Sequence, residues 1–376
     1  MLERIRHMLV KEFTQALRDP RMKGIIFAMP VIQLIIFGYA VSRDVRHVAT
    51  VVHDLDNSVV SRELVSRFVH SGYFDVVEYV DNAARARELV DRSVARVILR
   101  IHKGFADDLR AGRTVPLQLV VDGTDSSTAG IVLDYSSKIV GQFAAETLTR
   151  RVTRLVGVFN QPGQVDVQTR AWFNDNLESR NFYVPGVIAI IVTLITLLLT
   201  SMAIVREKEI GTIEQIMVTP ITPLEFVLGK TVPFALISLI DVILVTTVGV
   251  LWFEVPIRGN LLVLLLGALL YLVTTLAVGL LISTISHTQQ QAMMSTFFFY
   301  MPAMLLSGFM FPIANMPQVV QWLTYANPLR YFLVIVRGIF LKGVGLGTLW
   351  PQMLALALIG AVTLTLAARR FHKTLA

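Results

Sequence analysis

The chain has 376 residues, of which 54% are hydrophobic and only 16% charged, and its mean hydropathy is +0.62. A soluble domain carries about 25% charged residues, so this composition excludes an ordinary soluble enzyme and equally a disordered chain. With no cysteine there are no disulfides, thiolate metal sites or cysteine nucleophile, and a net charge of +7 in so apolar a chain marks basic segments beside a membrane rather than nucleic-acid binding.

Residues 1–23 read as an amphipathic helix. Leu2, Ile5, Leu9, Phe13 and Leu17 recur at spacings of three and four, while Arg4, Arg6, His7, Lys11, Glu12, Gln15 and Arg18 take the other face. Such a helix lies in the headgroup plane with its basic face toward anionic lipid. The alternative is a cytosolic helix packed on a partner.

Six apolar stretches approach the roughly 20 residues that a bilayer core requires: 24–41, 183–205, 226–251, 260–285, 291–312 and 346–368. The first follows too long a leader for a cleavable signal and lacks a small-x-small site after it, so it is expected to be retained. Orientation follows the lysines and arginines at the helix ends. Arg4, Arg6, Lys11, Arg18, Arg21 and Lys23 precede the first helix. Arg206 and Lys208 follow the second, Lys230 enters the third, and Arg369, Arg370 and Lys373 follow the sixth. Both termini are therefore expected in the cytoplasm.

Residues 42–182 then lie outside, as a domain-sized segment with 18 basic and 18 acidic residues. Strand patterns at Val48–His53, Phe74–Tyr79, Ala95–Ile101 and Pro116–Val121 alternate with helical ones at Ser58–His70, Ala83–Asp91 and Gly104–Ala111. A long helix follows from Ser126 to about Phe159, with a break expected near Gly141. This order predicts a mixed α/β domain. Asp54, Asp56, Asp122 and Asp125 stand at strand ends, where turn and helix-cap chemistry outweighs cation binding. His47, His53, His70 and His102 have no metal-ligand spacing.

The segment 206–225 joins the second and third apolar helices. It reads Arg206-Glu207-Lys208-Glu209-Ile210-Gly211-Thr212-Ile213-Glu214-Gln215-Ile216-Met217-Val218-Thr219-Pro220 and ends with Thr222-Pro223. Ile213, Ile216 and Met217 would share one side of a short helix. That side fits a groove on a cytosolic partner, or the element is a solvated connector stopped by prolines. Physical reasoning leaves the two level.

This segment, with Gly229-Lys230 after it, resembles the cytoplasmic loop of ABC-2 type exporter permeases. The run Leu306-Ser307-Gly308-Phe309 to Pro312, then Pro317, Trp322, Asn327-Pro328 and Tyr331 to Gly338, is similar to that family's segment between its last two helices. The large insertion after the first helix matches the family's drug-efflux subgroup in position and size. The resemblance implies an α-helical polytopic membrane protein of the type V exporter kind. It would have six transmembrane helices and a mixed α/β extracytoplasmic domain inserted between the first two. It also implies a dimer with a second permease copy or a paralogue, two cytosolic ABC ATPase subunits, contact with membrane lipids, and a periplasmic adaptor protein. Glu207, Glu209, Gly211, Thr212, Glu214, Ile216 and Met217 would couple to the ATPase. Phe309, Phe311, Trp322, Asn327 and Pro328 would belong to an outer gate within a re-entrant segment at 313–345. The location implied is the bacterial inner membrane.

No cofactor is expected in this chain, because ATP and Mg²⁺ would be bound by the partner. Gly229-Lys230-Thr231 imitates the end of a phosphate loop, but Leu224 stands at its first glycine and Pro233 interrupts the following helix. Lys230 is expected to be an interface anchor. No nucleic-acid contact and no catalytic activity are expected.

Asp241 is the one charge deep within an apolar stretch, and insertion there costs roughly 2.5–3.5 kcal/mol. It serves either a translocation path or a contact with Ser238, Thr246 or Thr247. Met294, Phe297, Phe298, Met301 and Met304 belong to a Met- and Phe-rich fifth helix whose adaptable walls suit hydrophobic or amphipathic cargo, drug-like or lipid-like. An ion-coupled transporter using Asp241, and a membrane-anchored sensor with a ligand-binding outer domain, are the alternatives to an ATP-driven exporter.

Overall fold

The computed structural model describes residues 2–18, 20–40, 45–156, 172–174, 178–211 and 223–374. It divides into two compact units, one formed by Met1–Ser42 with Arg170–Ala376 and the other by Arg43–Thr169. The first unit begins with α1 (Leu2–Arg18) and α2 (Pro20–Lys23), which passes through a π-turn at Gly24–Ala28 into α3 (Met29–Ala40).

The second unit runs β1 (Val48–Asp54), α4 (Val59–His70), β2 (Phe74–Tyr79), α5 (Ala83–Asp91), β3 (Val97–Ile101), α6 (Phe105–Ala111), β4 (Leu117–Val121) and α7 (Ser126–Val156). Its sheet has the order β2-β1-β3-β4, with β1 parallel to β2 and β3, and β4 antiparallel to β3. Alternation along the strands gives the sheet two apolar faces. Val48, Val52, Leu99 and Ile101 pack with Leu64 and Phe68 of α4 and with Val132 and Phe143 of α7. On the other face Val51 and Ile98 pack with Ala86 and Leu89 of α5.

Caps account for the chain reversals. Ser58 and Ser61 exchange hydrogen bonds at the start of α4, and Asp54 accepts from Ser61 Oγ at 2.6 Å. Asp56 accepts from the backbone N–H groups of Gly104 and Ala106, which fixes the start of α6. The expected break in the long helix is absent, since α7 runs unbroken past Gly141. A glycine costs about 1 kcal/mol in a helix, and Val132 and Phe143 are buried on either side of it.

The first unit resumes with α8 (Ser179–Ile210), α9 (Pro223–Phe253), α10 (Leu261–Ile285) and α11 (Gln289–Leu305). The short α12 (Gln318–Thr324) and α13 (Pro328–Arg337) follow, then α14 (Leu346–Thr374). Among the described residues, four helices are long and apolar enough to cross a membrane: Ser179–Ile210, Leu228–Phe253, Leu261–Ile285 and Leu346–Arg370. Gly24–Ala40 is shorter, and α11 has 17 residues.

α8 is the hub of this unit, packing on α3, α9, α10, α11 and α13. It is apolar on all sides because it is surrounded by protein on all sides. Apolar contact supplies no driving force between helices in lipid, so close packing and polar contacts hold the bundle. Thr193 and Tyr271 share a 2.5 Å hydrogen bond between α8 and α10, and Thr296 donates to Ser201 between α11 and α8 at 2.8 Å. Tyr271 stacks on Phe332 of α13 with ring centroids 4.2 Å apart. At Gly279 a Cβ would lie 2.8 Å from Thr200, so only glycine admits this approach of α10 to α8.

Candidate functional site

The end of α8 and the start of α9 bracket residues 212–222, and both are fastened by charge. Glu207, one turn before the end of α8, is 5% exposed, and Lys230, two turns into α9, is 2% exposed. The Lys230 ammonium lies 2.7 Å from Glu207 Oε1 and 2.7 Å from Glu12 Oε1 of α1. Lys11, half exposed, reaches the same Glu207 oxygen at 3.3 Å. Two carboxylates thus meet two ammonium groups where three helices converge. Taking such charges out of water costs several kcal/mol per ion, offset only while every partner is present.

Hydrogen bonds extend the clamp. Lys208 donates to the Thr284 carbonyl oxygen near the end of α10 at 3.2 Å. Glu209 accepts from the backbone N–H and the side-chain amide of Gln289, at the start of α11, at 3.1 and 2.8 Å. Gly211 closes α8 at φ 82°, a left-handed position that glycine adopts without strain. Of the residues expected to couple, Glu207, Glu209 and Gly211 stand together at the end of α8, while Thr212, Glu214, Ile216 and Met217 lie outside the described residues.

Two expectations are corrected here. Lys230 is no anchor at a lipid interface, because its ammonium is enclosed by two protein carboxylates. Glu12 does not stand on a face turned to lipid headgroups: α1 turns it, with Met8, inward onto α9, while Leu9 and Phe13 are half buried. The reason is local: Gly229 leaves a notch that Met8 fills, and Lys230 beside it draws in Glu12. Sequence reasoning missed Glu12 and Lys11 as members of the site. The available signal was the i, i+4 pair Met8/Glu12, matched in chemistry by Gly229-Lys230.

A cavity of about 290 Å³ opens beside this cluster. Glu12, Arg206 and Lys230 line one part of it, and Met202, Met293 and Phe297 line another. It is an amphipathic hollow with a charged rim and apolar walls, and it joins Phe297 to the charged cluster.

The other candidate residues do not gather in one place. Asp241 is 1% exposed, and neither of its carboxylate oxygens has a hydrogen-bond partner among the described residues. The expected contacts are not made: Ser238 Oγ and Thr246 Oγ1 are equally without partners, and Thr247 donates to the Ile243 carbonyl oxygen. Met294, Phe297, Phe298 and Met301 are exposed on α11, and Met304 is half buried against the core. Asp241 and this α11 face therefore share no surface.

Phe309 is buried beside Tyr183, whereas Phe311 and Trp322 are exposed. Asn327 caps α13 by accepting from the Leu329 N–H at 3.1 Å and donates to the Ala303 carbonyl oxygen at 2.6 Å, while Pro328 takes the first helical position. Arg337, which sequence reasoning passed over, stacks on Phe182 at 3.8 Å and donates to the Gly308 carbonyl oxygen.

A family model described as ABC-2 family transporter protein matches residues 24–369. The chain is 32% identical over 373 residues to the Probable multidrug ABC transporter permease YbhR of Escherichia coli K12, covering 99% of each. It is 34% identical over 342 residues to the Probable multidrug ABC transporter permease YbhS of the same organism, covering 90% of this chain and 89% of the relative. It is 31% identical over 390 residues to the Inner membrane transport permease YhhJ of Escherichia coli K12, covering 100% of this chain and 98% of the relative.

Proposed function

The chain belongs to the ABC-2 family of transporter proteins and is a membrane permease subunit of that family, and from that premise we propose that it exports hydrophobic or amphipathic molecules using ATP hydrolysed by a separate subunit. Two cytosolic ATPase subunits, holding ATP and Mg²⁺, dock on residues 212–222 of two permease copies or of a permease and its paralogue. In this reading six segments span the bacterial inner membrane: α3 with its π-turn, α8, α9, α10, α11 and α14. The inserted α/β unit then lies outside, where a periplasmic adaptor has access to it, and both termini are cytoplasmic.

The observation that carries the coupling role is the enclosed Glu12–Lys230–Glu207 cluster at the stem of that segment. A movement passed to the ends of α8 and α9 reaches α1 as well through this cluster. Gln289 and Thr284 extend the same connection to α11 and α10. The amphipathic hollow and the exposed Met and Phe residues of α11 support cargo of mixed character.

Gentle purification from the native membrane tests this reading. An ATP-binding subunit is expected in stoichiometric amount, with ATPase activity that is lost from the complex when Ile216→Asp blocks docking. A permease that is reproducibly alone, and transports on a proton gradient in a manner abolished by Asp241→Asn, would instead establish ion coupling.

A further inference from the structure

We propose that the inserted unit carries a binding site for a small organic carboxylate on the sheet face beside α5, with His53 and Arg100 as its recognition residues. α5 packs over β1 and β3, which leaves the outward residues of β4 uncovered: Gln118 and Val120 are exposed. The strand register places His53 opposite Arg100 and Arg100 opposite Gln118, so three polar side chains form one row across β1, β3 and β4. The adjacent row on the same face is Val51, Ile98 and Val120. A polar row beside an apolar one is the layout that an anion with an apolar body requires.

His53 is the observation that points to a ligand. It is only 3% exposed, it lines the cleft, and neither ring nitrogen has a hydrogen-bond partner among the described residues. The other three histidines of this unit differ: His47 meets Asp75, His70 meets Ser66 and His102 meets the Pro116 carbonyl oxygen. Buried polar side chains without partners are uncommon and call for an explanation. The cleft over His53 encloses about 850 Å³, room for an organic molecule rather than a bare ion. Arg87, Arg92 and Arg100 line it against Glu88 and Asp91, and Glu88 is already held by Arg85 and Arg92. The surplus is cationic. An imidazole N–H and a guanidinium in neighbouring register positions suit the two oxygens of a carboxylate, while Ile98 and Val120 meet its apolar part.

The full chain in lipid nanodiscs, with histidine rings labelled with ¹⁵N, provides the test. The probes are salicylate and hexanoate, with benzyl alcohol as the uncharged comparison and inorganic phosphate as the purely ionic one. Either carboxylate is expected to shift one histidine signal saturably below about 10 mM, the signal that His53→Gln removes. Arg100→Gln, at an exposed position, is expected to weaken binding at least tenfold. The proposal is overturned if neither carboxylate produces a saturable shift. It is equally overturned if benzyl alcohol or phosphate matches the carboxylates, or if Arg100→Gln binds as the parent does.

Discussion

The Met8 side chain occupies the place of the side chain that Gly229 lacks: its Sδ lies 2.6 Å from where a Cβ on Gly229 would stand. α1 is thereby seated by shape as well as by the neighbouring pair of Glu12 and Lys230. Gly229→Ala is expected to cost about 1 kcal/mol, because the Met8 thioether can shift, whereas Gly229→Val costs about 1–3 kcal/mol by overpacking. Limited trypsin cleavage after Lys11 should accelerate in the valine variant and remain nearly unchanged in the alanine one.

Lys230→Met is expected to destabilise the permease by about 3–5 kcal/mol, since it leaves Glu12 and Glu207 buried without their shared cation. Adding Glu12→Gln and Glu207→Gln should restore most of the thermal stability in detergent while leaving coupled ATPase activity low. A triple variant as unstable as Lys230→Met would show that packing, not charge, holds this junction.

In the inserted unit, burial alone would raise the Asp56 carboxyl, but hydrogen bonds from Ser58 and from the backbone N–H groups of Ala106, Gly104 and Phe105 outweigh it and hold the group below its usual value of 3.8. A carboxylate depressed in the folded state contributes stability above its unfolded pKa and loses that contribution as pH falls through the folded pKa. Asp56→Asn should therefore cost about 1 kcal/mol at neutral pH, screening included. The cost should shrink as the pH drops below 3.8. Hydrogen exchange of the Gly104 and Ala106 amides, followed against pH, measures it.

The strands and helices of this unit were legible because their signals are local. Phe74–Tyr79 is rich in the aromatic and β-branched residues that favour strands, and Asn82 caps Ala83–Asp91 by accepting from the Ala84 N–H. The charged junction was not legible. A buried Glu12 and a solvated one look alike in a sequence, and the richer stripe through Leu9 and Phe13 argued for another rotation of α1. Its deciding partner lies 218 residues away, beyond any periodicity.

For the proposed dimer, α11 offers the surface to test. Phe298 is 86% exposed and Met294 67% exposed, and the chain has no cysteine to interfere. Phe298→Cys is expected to give a covalent dimer under mild oxidation in membranes, whereas Leu197→Cys, at a fully buried position of α8, should stay monomeric. A Phe298→Cys protein that never cross-links would rule out α11 as a contact between copies.

Within the bundle, Tyr271→Phe removes the hydroxyl facing Thr193 but keeps the stack on Phe332. Thr193 still donates to the Ala189 carbonyl oxygen. The expected loss is therefore only about 0.6 kcal/mol, as for interhelical hydrogen bonds generally. Tyr271→Ala, which also opens a cavity, should lose about 3–5 kcal/mol. Thermal melts of the two variants distinguish the contributions.

The separation of Glu12 from Lys230 also bears on biogenesis. At about 5–20 residues per second, a nascent chain displays Glu12 for roughly 10–40 s before its ammonium partner has been made. During that interval α1 lacks its main seat, because the notch at Gly229 belongs to the same late segment. The amino-terminal helix can therefore complete its docking only after the helix bearing Lys230 has been made. Its docking would mark that arrival, a checkpoint that a truncated translation product cannot pass.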